Sequence, residues 1–257
     1  MPLRGYIDEN RAVLSVTGAD ARALLQDLVT NDLDRLGDGN LVYAALLTPQ
    51  GKYLFDFFVG LDGDALFIDV ARDQAAPLAQ RLSMYKLRRD MDIAATETPV
   101  ALVWGEGEPP AGARPDPRDP ALGWRVYGGA DGFDAADRAA YDDLRIANCA
   151  PETGVELLPN DTFILEAGFE RLNGVDFRKG CYVGQEVTAR MKHKTELKKG
   201  LAQVVVEGEA QPGEPITADG KPAGALFSVR NGRGLAHLRF DRANGEMSAG
   251  AAKVRRV

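Results

Sequence analysis

Arg178-Lys179-Gly180-Cys181-Tyr182-Val183-Gly184-Gln185-Glu186-Val187-Thr188-Ala189-Arg190 is the least generic stretch of this 257-residue chain. Gly180 and Gly184 bracket a cysteine, so the backbone there can turn tightly or let a ligand approach. Arg178 and Lys179 precede the thiol and Arg190 follows it. If these cations lie near Cys181 in space, they favour its thiolate and make it a nucleophile. The competing reading is a buried, inert cysteine on a turn. Cys149, at an apolar helix end, reads as structural.

On the C-terminal side of this stretch, from Leu201 onward, short strands (Leu201 to Val206, Ala223 to Val229, Leu235 to Phe240, Ala251 to Val257) alternate with Gly and Pro turns. That pattern predicts a small antiparallel barrel over residues 199–257. On the N-terminal side, residues 1–198 read as a mixed helix and strand region of two interleaved subdomains. Leu3 to Ile7 and Arg11 to Val16 predict a hairpin around Asp8-Glu9-Asn10. Leu24, Leu25, Leu28 and Val29 share one side of a helix predicted over Ala19 to Val29. Val42 to Leu47, Lys52 to Leu61 and Ala65 to Val70 predict a three-strand meander, with Asp73 to Met84 as the next helix and Met91 to Ala95 and Val100 to Trp104 as further strands. Gly105 to Pro120 is dense in Pro and Gly and predicts a surface loop without regular structure. A strand over Gly123 to Tyr127 and a helix over Asp134 to Asn148 follow.

Composition narrows the chemistry. With 31 Lys+Arg against 38 Asp+Glu, the net charge of −7 argues against direct nucleic-acid binding and against bulk membrane affinity. No apolar run reaches the roughly 18 residues of a membrane span, and the start, Met1-Pro2-Leu3-Arg4-Gly5-Tyr6, lacks a signal peptide's apolar stretch, so the expected location is cytoplasmic. Two cysteines and two histidines, His193 and His237, at non-ligand spacings predict no tightly bound metal or cluster. Gly-x-Ser-x-Gly, Walker and Gly-x-Gly-x-x-Gly patterns are missing, which argues against serine hydrolases, P-loop enzymes and dinucleotide-binding dehydrogenases.

The string Lys179-Gly180-Cys181-Tyr182-x-Gly184-Gln185-Glu186, followed by Arg190, resembles the signature of the YgfZ-type folate-binding proteins, which include mitochondrial iron–sulfur maturation factors. Leu24-Leu25-Gln26-Asp27-Leu28-Val29-Thr30-Asn31-Asp32 resembles that family's first helix. The family is similar in fold to the glycine cleavage T-protein, an aminomethyltransferase. The resemblance therefore implies an α+β, T-protein-like arrangement of three domains around a central channel, ending in an antiparallel β-barrel.

It also implies site residues. Tyr43, Gly51 and Phe55-Asp56 occupy places similar to the T-protein's tyrosine, glycine turn and paired aspartates, with the first aspartate missing. Strand alternation puts Leu54 and Asp56 on one face and Tyr53, Phe55 and Phe57 on the other, which lets Asp56 enter a pocket. Glu166, in Phe163-Ile164-Leu165-Glu166-Ala167-Gly168, resembles the T-protein's Leu-Glu-Ala-Gly stretch. A single carboxylate can accept both the amino group and the ring N–H of a pterin; a salt bridge to Arg171 or Arg145 is the competing account. Tyr43, Asp56 and Glu166 are thus the expected folate residues, with Cys181 and Asp56 as catalytic candidates. Two basic groups stand out in an acidic chain: Arg178, Lys179, Arg190, Lys192, His193, Lys194, Lys198 and Lys199; and Lys86, Arg88 and Arg89. They suit a folate glutamate tail, an acidic partner, tRNA or plain solvent. The implied function is a tetrahydrofolate-binding accessory factor for iron–sulfur cluster assembly or repair in client enzymes, tRNA-modifying ones included. The alternative is a folate-dependent aminomethyl transferase or demethylase.

Overall fold

The computed structural model describes residues 2–129, 131–194 and 196–257. Met1 of the start segment and the side chain of Lys194 lie outside them. In chain order the first part contains β1 (Arg4–Ile7), β2 (Arg11–Thr17), α1 (Ala21–Leu28), β3 (Val42–Leu47), β4 (Tyr53–Asp62), β5 (Ala65–Ala71), α2 (Arg72–Lys86), β6 (Asp92–Thr96), β7 (Val100–Trp104), β8 (Arg114–Pro115), β9 (Trp124–Tyr127), β10 (Asp134–Ala135), α3 (Arg138–Ala147) and α4 (Gln185–Lys194).

Two five-stranded sheets result, one ordered β3-β4-β5-β2-β6 and the other β10-β1-β7-β9-β8. The meander forms as its turns predict. The expected opening hairpin does not. Its turn is present, with Asn10 N–H donating to Asp8 Oδ1 at 3.1 Å, but β1 pairs with β7 and β10 while β2 pairs with β5 and β6. A strand has two hydrogen-bonding edges, and both edges of β2 are taken, so the chain changes sheets at Asp8. The third helix starts later than expected because Asp137 caps it, accepting from Ala140 N–H at 2.9 Å. Asp134 and Ala135 instead run parallel to β1.

The first sheet is buried on both faces, which explains the near-continuous apolar run Val42 to Leu47 and Tyr53 to Gly60. One face packs Leu46, Phe55, Phe57 and Ile68 against Leu24, Leu25 and Leu28 of α1 and Leu78 and Leu82 of α2. The other face packs Tyr43, Tyr53 and Phe58 against Leu102 and Trp104 of β7 and against Leu157, Ile164 and Phe169. Strand β4 departs from simple alternation. Leu46 pairs with Phe55 and Leu47 with Tyr53, so Leu54 is an extra, bulged residue. The bulge puts Leu54 on the helix side with Phe55 and Phe57, and Tyr53 on the opposite side with Asp56, correcting the expected assignment of faces.

The Pro-rich segment is not merely a surface loop. It forms β8, and its Asp116 and Arg118 are buried, Arg118 pairing twice with Asp116 at 3.0 and 2.8 Å. Arg125 of β9 joins Asp116 to Asp69, which also pairs with Arg11. Burial would raise the pKa of Asp116, but Arg118 and Arg125 outweigh it and hold that carboxyl at about 2.

The remaining strands, β11 (Lys199–Glu207), β12 (Pro215–Ala218), β13 (Lys221–Arg230), β14 (Arg233–Arg239), β15 (Met247–Ala249) and β16 (Ala252–Arg256), close into a six-stranded antiparallel barrel ordered β11-β14-β13-β12-β15-β16. Val204, Val206, Ile216, Leu226, Ala236, Leu238 and Val254 fill it. The short β12 and β15 escaped the sequence pattern because a proline opens one and the other has only three residues.

Candidate functional site

The Lys179 to Arg190 stretch makes a loop leading into α4. Cys181 is exposed on that loop, ahead of the helix. Its neighbours fix the loop rather than surround the thiol. Lys179 is buried, and its ammonium donates to the carbonyls of Gln26 at 2.6 Å, Val29 at 2.5 Å and Asn31 at 3.1 Å. A cation there also complements the negative end of the α1 dipole. Burial pushes its pKa down to about 8, against the opposing pull of Asp32, Asp27 and Asp176. Tyr182 is buried in the second core, and Gln185 closes the loop by donating to the Gly180 carbonyl at 3.4 Å.

The two bracketing glycines differ. Gly184 has φ +83°, and a Cβ there would meet the Thr48 carbonyl at 2.6 Å, so no larger residue fits against the β3–β4 turn. Gly180 faces open space and has no such requirement. Thr188 is buried and donates to the Gly184 carbonyl at 3.2 Å, while Glu186 and Arg190 pair on the surface at 3.1 Å. Arg178 lies 3.8 Å from Asp176. The expected cationic nest about Cys181 is thus corrected: Lys179, Arg190 and Arg178 are turned to other partners. In the same basic group Lys192 pairs with Glu170 and Lys199 with Glu166. Cys149 is half-buried, and burial raises its thiol pKa.

Asp56 lies inside the protein, 6% exposed. Its Oδ2 accepts from the Tyr43 hydroxyl at 3.0 Å, and its Oδ1 accepts from Tyr53 at 2.7 Å and Thr153 at 2.5 Å. Tyr43 is fully buried and stacks on Phe169 at 5.0 Å, so it is a core residue rather than an open platform. Burial, reinforced by Asp56, pushes its phenol pKa well up. Thr153, invisible to the sequence reading, also lines an open cleft of about 430 Å³ with Asp8, Arg11, Arg72 and Glu152.

Glu166 stands elsewhere, in a cleft of about 110 Å³ between the body and the barrel, lined also by Lys52, Glu156, Lys199 and His237. The salt bridge to Arg171 or Arg145, the competing account of Glu166, is not made. Glu166 lies 3.3 Å from His237 Nε2 and 3.4 Å from Lys199, whereas Arg145 turns to Glu156 and Arg171 to the Cys149 carbonyl. Burial would raise the pKa of Glu166, but His237 and Lys199 hold it below the usual range. Tyr43 and Asp56 are not among the residues lining this cleft. Thr30 and Asn31 were also missed. Thr30 donates to the Gly174 carbonyl at 2.7 Å and Asn31 to those of Tyr43 at 2.8 Å and Asn173 at 2.6 Å, joining the end of α1 to β3 and to the segment before Lys179. Among the described residues no group of three or more His, Cys, Asp or Glu is arranged to hold a metal ion.

Residues 198–257 match the family model of the CAF17 C-terminal beta-barrel domain. Over the longer chain, the iron-sulfur cluster assembly factor IBA57, mitochondrial, of Mus musculus is 30% identical, the match covering 93% of this chain and 78% of that protein. This chain belongs to the IBA57-type iron–sulfur assembly factor family. The IBA57 homolog, mitochondrial, of Neurospora crassa is 32% identical over 82% of this chain and 55% of its own length. The homolog of Mycosarcoma maydis is 33% identical over 75% and 54%. The chain thus spans about half the length of these fungal IBA57 relatives. The glycine cleavage aminomethyltransferase T of Bartonella henselae superposes with a TM-score of 0.79 at 14% identity, covering 100% of this chain and 85% of that one, which establishes a T-protein-like fold. The cytoplasmic expectation is overturned, since the IBA57 relatives are named as mitochondrial proteins. No described helix is long and apolar enough to cross a membrane.

Proposed function

We propose that this chain works in iron–sulfur cluster assembly or repair, with Cys181 as its reacting group and iron–sulfur client or assembly proteins as its partners, tRNA-modifying enzymes among the clients. The observation that carries this reading is the exposed thiol on a loop whose Lys179, Tyr182, Gly184 and Gln185 all serve to hold it. Family membership supports it. On this reading the protein keeps no tightly bound metal of its own and is an accessory factor rather than an aminomethyltransferase: Phe55, at the place of the missing aspartate, packs in the core with Phe57.

Tetrahydrofolate binding is the finer part of the proposal. The residues as placed do not hold a whole folate. Both oxygens of Asp56 are occupied by Tyr43, Tyr53 and Thr153, and the Glu166 cleft of about 110 Å³ is smaller than the roughly 300 Å³ at which ordinary ligand pockets begin. Binding at Asp56 would require Thr153 to leave it and open the neighbouring cleft.

A strain lacking the gene, assayed for iron–sulfur enzyme activities, tests the main reading. The wild type should restore those activities and Cys181→Ala should not, with the variant's melting temperature unchanged and Cys181 alkylating faster than Cys149. Full complementation by Cys181→Ala, or a slow-reacting Cys181, removes the thiol from the function. Calorimetric titration of the wild type with tetrahydrofolate tests the finer part, and a saturable heat of binding is the expected result. No heat of binding to the wild type ends the folate claim and leaves the thiol claim standing.

A further inference from the structure

Gln74 to Arg89 contains four cations, Arg81, Lys86, Arg88 and Arg89, and no Asp or Glu, in a chain of net charge −7. It forms most of α2 and the turn that ends it. Four large hydrophobic residues are recorded as exposed among the described residues, and two of them are here, Met84 at 65% and Leu87 at 88%. Leu87, the C-cap of α2, has φ 49° and ψ −105°, a positive φ that favours glycine. A side chain on such a backbone is strained. The fold therefore holds a bare leucine in water at a place where a glycine would relieve the backbone.

An open groove of about 660 Å³ runs beside it, lined by Asp20, Tyr85, Lys86, Leu87, Arg88 and Arg89. Lys86 is paired with Asp92 at 3.0 Å and Arg89 with Asp27 at 2.8 Å. Among the described residues, Arg81 and Arg88 have no ion-pair partner. The patch thus offers two apolar anchors three residues apart and two cations with no internal carboxylate to satisfy them.

We propose that the C-terminal end of α2 is a docking surface for an acidic protein segment with apolar residues at helical spacing. Met84 and Leu87 contact the apolar residues, and Arg81 and Arg88 receive the carboxylates. The charge pattern selects this partner over a polyanion. Asp20, Asp27, Asp90 and Asp92 stand among the cations and would repel a phosphate backbone or an anionic lipid surface, whereas a protein segment can place single carboxylates at two points. None of Cys181, Asp56 and Glu166 lines this groove, and the proposal stands or falls without the proposed function.

The test uses the full chain and a synthetic 16-residue peptide with leucines at helical spacing and glutamates elsewhere, read by fluorescence anisotropy. The peptide should bind, and replacing its glutamates by glutamine should weaken binding at least about tenfold, as should Arg81→Glu with Arg88→Glu, or Met84→Ser with Leu87→Asn. These side chains are at the surface, so the variants should melt within a few degrees of the wild type, and amide shifts on titration should centre on residues 81–89. No binding of the peptide, equal binding by wild type and both variants, or shifts centred elsewhere would overturn the proposal. So would wild-type binding of phosphatidylglycerol vesicles or single-stranded RNA in place of the peptide.

Discussion

The Cys181 loop and the Asp56 network use the same materials to opposite ends. Around Cys181, a lysine and a tyrosine are buried and Gly184 packs against the Thr48 carbonyl, so that one side chain is left in solvent. At Asp56, two tyrosines and a threonine converge so that the side chain itself is sealed. Polar groups in the first case position a reactive atom, and in the second they satisfy one. A functional residue in this fold is therefore recognised by what its neighbours are committed to, not by the charges adjacent to it in sequence.

The largest effect that would break the comparison lies at Asp56. Asp56→Ala strands the buried Tyr43 hydroxyl and leaves that of Tyr53 with Thr153 alone, and should cost about 3 kcal/mol in urea unfolding. Thr153→Val, which removes only the donor at the rim of the cleft, should cost about 1 kcal/mol. An Asp56→Ala protein as stable as the wild type would show that the site is not sealed in solution.

Lys179→Met should come next, at about 2 kcal/mol, because three carbonyls lose their donor. Lys179 also gives a pH signature. Its folded pKa of about 8 lies below its unfolded value of about 10.4, so between those values the unfolded chain holds a proton that the folded chain has released. The wild type accordingly gains stability from this group as pH rises from about 8 to about 10.4, and the Met variant does not. The deficit of Lys179→Met measured at pH 7 and at pH 10 should widen. A deficit that narrows would mean that the three carbonyls outweigh burial and favour the ammonium.

The smallest effect is expected at Glu186 and Arg190. Their exposed (i, i+4) pair should be worth no more than about 0.5 kcal/mol, and Arg190→Ala should leave Cys181 alkylation unchanged. A slowed alkylation would restore Arg190 to the thiol's surroundings and blur the contrast.

Much of this architecture could be read locally. The spacing of Leu24, Leu25 and Leu28 predicts α1, and the Thr48 to Gly51 and Asp62 to Asp64 turns predict the meander, because both signals lie within a few residues of what they determine. The same turn logic failed at Asp8 to Asn10, where edge occupancy in β2 decides the pairing and no local residue reports it. The bulge at Leu54 reversed a period-two argument that is sound only in an uninterrupted strand. The Cys181 motif was legible as a loop with a special cysteine, but the direction of Lys179 depends on carbonyls some 150 positions earlier in the chain. Asp116 and Arg118 were hidden by their prolines: those residues forecast irregular backbone correctly and say nothing about burial.

The Lys179 contacts with Gln26, Val29 and Asn31 join residues separated by 153, 150 and 148 positions. Closing so long a loop is entropically costly until the intervening sheets already hold its ends together. The ordered turn beneath Cys181 therefore belongs to a late stage of folding. During synthesis, the thiol leaves the ribosome before the barrel is made and takes up its presented position only when the N-terminal helix is there to receive Lys179. A partner that recognises the ordered loop thereby distinguishes a chain whose N-terminal body has folded from one whose body has not.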